Sequence, residues 1–326
     1  MELRSERVEA TILDPRHGFQ PAPASFEVRW DPLTGHTARI LDKSNLLPPS
    51  DFDLEAFARE TREGCFFCPE KVFDVTPKLL PEIWSEGRIR VGQALLFPNI
   101  QPYARHSSVA IYGPELHYLP LDRMSTKVVA DNLGAQVEFV KAAQRYDPDA
   151  RWSSLSANHM LPSGSSLFHP HTQAAVDPHP TTMQVLLAGV PEATIRDYLD
   201  TERRLGARHL GNSGRIEWLT SFAPVGFNEI RAFVPGAAGV GDLDDSLVEE
   251  LGRGLSAALN VYAEMGFQSF NWALYGGTVL NLRLVTRSNL KPLYRSDAAY
   301  FERLHWQGMV DTSPEELAER ARGRFS

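Results

Sequence analysis

Hydrophobic positions recur along this chain in two registers, and the register changes at glycine and proline. Val91 to Phe97 and Ser107 to Tyr112 are short β-branched and aromatic runs closed by Pro98 and Gly113, which predicts two strands. From about Ser125 to Tyr146 the spacing becomes helical, with Val128, Val129, Ala130, Leu133, Val137 and Val140 largely on one face. Strands are predicted again at 152–158 and 171–177, around the small-residue turn Leu161-Pro-Ser-Gly-Ser-Ser166.

The second half repeats this order. Strands are expected at Trp218 to Ala223 and Glu229 to Val234, the latter stopped by Pro235-Gly236. A helix from Asp244 to Glu264 carries Leu247, Leu251, Leu255, Ala258, Leu259 and Tyr262 as a stripe and ends at Gly266. Strands at 268–275 and 279–286 flank Gly276-Gly277. The recurrence points to duplication of one α+β unit. Gly164 precedes His169 by five residues and Gly276 precedes Asn281 by five. His169-Pro-His171 therefore overlays Asn281-Leu-Arg283, which would leave the chemistry in the first copy. The expected organisation is a loosely structured arm at 1–28 containing Pro15, Pro21 and Pro23, a first unit at 29–185 with a proline-broken connector at 45–53, and a second unit at 186–326.

Length and composition narrow the class. A chain of 326 residues is about two domains at ~150 residues each. Its 43% hydrophobic and 23% charged residues are globular in balance and exclude a disordered, collagen-like or disulfide-scaffold protein. The net charge of −8 gives no general attraction to nucleic acid or anionic lipid, so any phosphate must be gripped by a local site. No apolar run approaches the ~20 residues of a membrane span, and the charged N-terminus lacks a signal peptide's apolar core. A cytoplasmic protein with no membrane partner is expected.

Candidate chemistry is concentrated in few places. The only cysteines, Cys65 and Cys68, stand at C-x-x-C spacing. In a reducing compartment this suggests half of a metal site or a redox pair, with two unrelated core cysteines as the plain alternative. Phe-Phe between them and the missing βαβ context argue against a redox motif. His169 and His171, at i and i+2 on a strand, share a face, and Pro170 between them stiffens the extended chain. Just upstream, Gly164, Ser165 and Ser166 offer N–H groups and hydroxyls suited to a phosphate oxygen.

The segment Asn158-His-Met-Leu-Pro-Ser-Gly164-Ser-Ser166-Leu-Phe-His169-Pro-His171-Thr-Gln173 resembles the active-site segment of the galactose-1-phosphate uridylyltransferase family, the branch of the histidine triad superfamily in which glutamine replaces the last histidine. Asp31-Pro-Leu-Thr-Gly35, Cys65-Phe-Phe-Cys68-Pro69, Phe97-Pro98-Asn99 with His106-Ser-Ser-Val-Ala-Ile-Tyr, and Gly113-Pro-Glu-Leu-His117 resemble further family motifs in the same order. The resemblance implies an α+β fold of two tandem histidine-triad-like units with antiparallel sheets and packed helices. It implies His171 as nucleophile, forming a covalent nucleotidyl-histidine. Gln173 would steady a phosphoryl oxygen, and Ser166 the distal phosphate and leaving group. Asn99, Asn158, Gly164 and Ser165 would hold substrate. Cys65, Cys68, His117 and His169 would bind a structural zinc. The implied partners are a sugar nucleotide and a phosphorylated acceptor, and the implied assembly is a homodimer.

The sequence departs from that family at three places. Where closely spaced arginines usually reach the nucleotide phosphates, the only basic residue is Lys43. Asn281 and Arg283 stand where some members place a His-x-His metal pair, so no second metal is expected. Gln307 is a poor match for the hexose-reading glutamine, whereas Arg287, Lys291 and Arg295 concentrate positive charge in nine residues of an acidic chain. Lys291 and Arg295 become candidates for the acceptor phosphate across the dimer interface. The function expected is transfer of a nucleoside monophosphate between a sugar nucleotide and a sugar 1-phosphate, or inorganic phosphate. A nucleotide-sugar or dinucleotide phosphorylase, a hydrolase, and a nucleotide-binding module without catalysis are the alternatives.

Overall fold

Two long helices are cut out of the chain by their caps. Ser125 accepts from the Val128 N–H and Asp244 from the Leu247 N–H, 2.7 Å in the second case, which satisfies first-turn donors. The second helix stops at Gly266, whose φ of 82° suits glycine. A computed structural model describes residues 1–42, 50, 52–291, 297–298 and 300–325. The chain begins with β1 (Ser5–Asp14), β2 (Gln20–Trp30) and β3 (Thr37–Leu41), then α1 (Leu54–Arg62) and α2 (Val72–Val75). The first unit follows as β4 (Ile89–Val91), β5 (Ala94–Pro98), β6 (His106–Ile111), α3 (Thr126–Tyr146), β7 (Trp152–His159) and β8 (His171–Asp177). After α4 (Thr182–Ala188) and α5 (Glu192–Leu205) come β9 (His209–Ser213), β10 (Ile216–Thr220), β11 (Ile230–Val234), α6 (Asp245–Glu264), β12 (Ser269–Tyr275) and β13 (Leu280–Arg287). The C-terminal part holds α7 (Tyr300–Leu304), β14 (Gly308–Val310) and α8 (Pro314–Ala321).

The fold is α+β, and its main sheet is mirrored in order. Ten strands run β4-β5-β6-β8-β7-β12-β13-β11-β10-β9, so each half supplies five strands and the halves join where β7 pairs with β12. Helices α3 and α6 cover one face and pack on each other so closely that a Cβ on Gly252 would lie 3.0 Å from that of Ala130. Their apolar stripes share one core with Leu155, Ala174, Leu274 and Leu282 from the central strands. Among the described residues no helix is long and apolar enough to cross a membrane.

The structure differs from the sequence reading at the N-terminus. Residues 1–28 do not form a loose arm: β1 pairs with β2 from Ser5↔Arg29 to Asp14↔Gln20 in a separate sheet of order β1-β2-β3-β14. Pro21 and Pro23 are compatible with a strand because they lie where β2 pairs only with β1, leaving their other edge free of any need for a donor. The Asp31–Gly35 turn packs on the second half of the chain, where Asp31 meets Arg231 at 3.0 Å, and not on the first unit. The predicted strand 91–97 is a hairpin, β4–β5, turning at Gly92, whose φ is 54° and whose added Cβ would lie 2.0 Å from Asp131 Oδ2. Most of the connector at 45–53 lies outside the described residues.

Candidate active site

Strand β8 carries its side chains alternately to two environments. Thr172, Ala174 and Val176 face the helices, while His171 and Gln173 face the opposite side. Behind the site, buried Thr172 donates to Asn132 Oδ1 at 2.6 Å and accepts from Gln136 Nε2 at 3.0 Å. Asn132 also donates to Ala110 O (2.9 Å), and Ser108 donates to Gln136 (2.7 Å). This buried network ties β8 and β6 to α3, so the face carrying His171 has a fixed register.

His171 is buried and its Nδ1 lies 2.8 Å from the carbonyl oxygen of His169. A carbonyl only accepts, so the neutral ring carries its proton on Nδ1 and keeps the lone pair on Nε2. Burial pushes the His171 pKa down, opposed by that hydrogen bond, which favours the neutral nucleophilic form. Cross-strand register sets Ile111 and Leu95 beside His171, and Val109 and Phe97 beside Gln173. With Phe67, whose ring meets His171 edge-on at 5.5 Å, they make an apolar floor next to two polar groups. Tyr103, half exposed, donates to Gln173 Oε1 at 3.3 Å, a contact that does not use the Gln173 amide N–H groups.

The four expected metal ligands come together. The candidate ligand atoms of Cys65, Cys68, His117 and His169 lie within 4.8 Å of one another. Cys68 Sγ is 3.3 Å from His117 Nδ1 and 3.7 Å from His169 Nδ1, and Cys65 Sγ is 3.6 Å from His169 Nδ1. The sulfur–nitrogen edge of a tetrahedral centre with ordinary bond lengths is about 3.5 Å, so the cluster has the size of an S₂N₂ metal site. Both imidazoles are held from behind: His169 Nε2 meets Gly113 O at 3.0 Å and His117 Nε2 meets Thr61 Oγ1 at 3.1 Å. Such backing fixes the tautomer that aims Nδ1 at a metal. Burial pushes His169 down to about 3, and burial with the neighbouring Cys65 pushes the Cys68 thiol up to about 12. A neutral imidazole suits ligation as it stands, whereas the thiol needs a nearby cation to ionise, which a bound metal supplies.

The turn between β7 and β8 is closed by its own side chains. Met160 (φ 69°) and Gly164 (φ 93°) bend it, and Ser163 donates to Met160 O at 2.7 Å. Ser165 is buried and donates to Leu167 O at 2.7 Å, so its hydroxyl braces the turn, while Ser166 is exposed beside Cys65 and His117. Gly164 sits against Asn158, 3.9 Å from its Nδ2 to an added Cβ. Asn99 continues the site face beyond Phe97 and uses its Oδ1 on the Gln101 N–H at 3.0 Å. Lys43 and Arg295 lie outside the described residues, and Lys291 ends the described segment that follows β13.

Several residues were not legible as site residues in the sequence. Asn271 of β12 pairs with Asn158, donating to its Oδ1 at 2.7 Å and to Ser163 O at 3.0 Å. Arg287 donates to Asn271 Oδ1 at 2.8 Å and pairs with Asp297. The second unit thus braces the first unit's site. A polar Asn within the apolar run Phe270-Asn-Trp was the available signal. The second copy's equivalent face is closed. Leu33 and α5 residues Ile195, Tyr198 and Leu199 cover Leu219 and Phe233, and buried Arg231 and Arg283 pair there with Asp31 and Glu229. Asn281, opposite Phe233, lies fully buried within 3.3 Å of Arg231 Nε.

No protein-family profile matches the chain. An uncharacterised protein of Archaeoglobus fulgidus is 29% identical over 340 residues, covering 100% of this chain and 99% of that one. The crystal structure of an ADP-glucose phosphorylase from Arabidopsis thaliana with bound ADP-glucose aligns with a TM-score of 0.67 and 17% identity, over 91% of this chain and 98% of that one. A GalT-like protein of the same plant gives the same values, and a uridylyltransferase mutant gives 0.58 and 17% over the same shares. The chain has the fold of these structures along nearly its whole length, in agreement with the resemblance read from the motifs.

Proposed function

We propose that this chain is a nucleotidyltransferase that moves a nucleoside monophosphate from a nucleotide sugar to a phosphate-bearing acceptor through His171. The observation that carries this reading is the 2.8 Å contact of His171 Nδ1 with His169 O, which leaves Nε2 as the lone-pair nitrogen on a face shared with Gln173. Nε2 attacks the α-phosphorus; the N–P bond forms, the bond to the bridging oxygen breaks, and sugar 1-phosphate leaves with the electron pair. The ring gains positive charge in this step, and the His169 carbonyl, already accepting from Nδ1, stabilises it. Gln173 amide N–H groups bond the phosphoryl oxygens, and Ser166 serves the distal phosphate. The acceptor's phosphate oxygen then attacks the same phosphorus and frees Nε2. The buried apolar cluster of Leu95, Phe97, Val109 and Ile111 backs the site, and Asn99 and Asn158 hold the substrate at its edges.

Zinc is the metal that suits two thiolates and two imidazoles with no open position, and it would pin the start of β8 without touching the reacting atoms. Likeness in fold to a protein named ADP-glucose phosphorylase favours inorganic phosphate as acceptor and ADP-glucose as the first donor to try. In this reading the protein is a cytoplasmic homodimer in which Lys43 assists the nucleotide and Lys291 and Arg295 meet the partner site's acceptor phosphate. The charge concentrated after β13 supports that assignment.

The test is the intact mass of the protein after mixing with ADP-glucose, UDP-glucose or GDP-mannose without acceptor. One added nucleotidyl group, absent in His171→Ala and discharged by phosphate, is expected. An adduct that survives in His171→Ala, or no adduct from any donor, overturns the reading. Steady release of free monophosphate without acceptor makes the enzyme a hydrolase.

A further inference from the structure

A cavity of about 640 Å³ opens at the seam of the two units, at the opposite end of β7 from the candidate active site. It is bounded by the end of α3, the start of β7, the loop after β11 and the turn joining β12 to β13. Trp152 lines it and Asn158 lies six residues on, about 20 Å along the strand at ~3.3 Å per residue. Its charge is unlike that of the chain as a whole. Lys141, Arg145 and Arg151 line it against one carboxylate, Asp242, in a protein of net charge −8. Asp242 Oδ2 is already engaged by the Ala238 and Gly239 N–H groups at 2.9 and 2.8 Å. Lys141 donates to Leu243 O at 2.8 Å, which leaves its charge unneutralised. Neither Arg145 nor Arg151 has a carboxylate partner among the described residues.

We propose that this cavity is a second binding site, for a phosphate monoester carrying a flat ring, of which a nucleoside monophosphate is the type. Two guanidinium forks suit phosphate oxygens bidentately. Trp152, half-buried, is the aromatic residue on the lining of the cavity, the type of side chain on which a base stacks. The volume falls in the ordinary range of small-molecule sites, roughly 300–1,000 Å³. Gly276 is shaped to the wall: a Cβ there would lie 2.7 Å from Ala238 O, so the turn and the loop after β11 close against each other only with glycine. Elements of both units form the site, so its ligand would bear on the junction at β7 and β12.

The proposal stands independently of nucleotidyl transfer and is tested by tryptophan fluorescence during titration with AMP, with inorganic phosphate as competitor. A saturable change is expected in the wild type, absent in Trp152→Phe and displaced by phosphate. Arg145→Glu with Arg151→Glu should raise the Kd at least tenfold, and the milder Arg145→Gln with Arg151→Gln should fall between; both arginines are exposed, so the fold should tolerate either pair. His171→Ala should leave the Kd unchanged. No saturable change, an unchanged Kd in the charge-reversed protein, or loss of the signal in His171→Ala overturns the proposal.

Discussion

Thr172 stands between His171 and Gln173 yet points away from them, and replacing it with valine isolates what the hidden side of the strand contributes. Valine keeps the side-chain volume and removes one hydroxyl. That hydroxyl donates to Asn132 and accepts from Gln136, and all three residues are at most 1% exposed. Its loss leaves the Asn132 carbonyl and a Gln136 N–H without these partners in a dry interior. Each such orphan costs about 1–3 kcal/mol, so Thr172→Val should destabilise by about 2–6 kcal/mol. Thr172→Ser keeps the hydroxyl and loses one methyl, for about 1 kcal/mol. Urea unfolding of the three proteins, with the slope unchanged, gives the comparison directly. Formation of the His171 adduct should slow in Thr172→Val and survive in Thr172→Ser, because the network sets the register of the strand. If valine costs no more than serine, the network does not hold β8 and the reasoning fails.

Other outcomes follow from the same structure. Purified protein should contain one zinc per chain by elemental analysis, and Cys68→Ala or His117→Ala should lose it together with thermal stability; full zinc occupancy in either variant would contradict the ligand set. Asn271→Ala removes bonds to Asn158, Ser163 and Arg287 and should slow adduct formation about tenfold, the equivalent of ~1.4 kcal/mol, with zinc content unchanged. Burial raises the pKa of Asp31, but Arg231 and Arg283 outweigh it and hold the carboxyl well below its ordinary value. Asp31→Asn should therefore cost about 3–5 kcal/mol at neutral pH by leaving two buried guanidinium groups short of a partner. For a depressed carboxylate the stabilisation is complete above the unfolded pKa near ~4 and is lost as pH falls toward the folded one. The difference between wild type and Asp31→Asn should shrink below about pH 4, and a difference that grows in acid would refute the pairing.

Local sequence determined much of this protein by itself. The stripes at 128–140 and 247–262, with Ser125 and Asp244 as caps, fix two helices because their spacing and capping are short-range properties. The C-x-x-C pair and His169-Pro-His171 were readable because their chemistry depends on residue type and spacing within a few positions. The succession of strands and helices and the α+β class followed from two repeats of one pattern. Tertiary structure alone decided what lies across the sheet. Asn271 and Arg287 reach the Asn158 side of the site only because β12 pairs with β7, a register set by burial more than 100 residues apart. Asp31 looked like part of the first unit, but it is the counter-ion of Arg231 and Arg283 on the second. The N-terminal hairpin has no signature in the sequence because its strands are mostly exposed and bury no stripe that alternation would reveal. Short-range chemistry marks residues along a chain, but only long-range burial and pairing decide which of them meet.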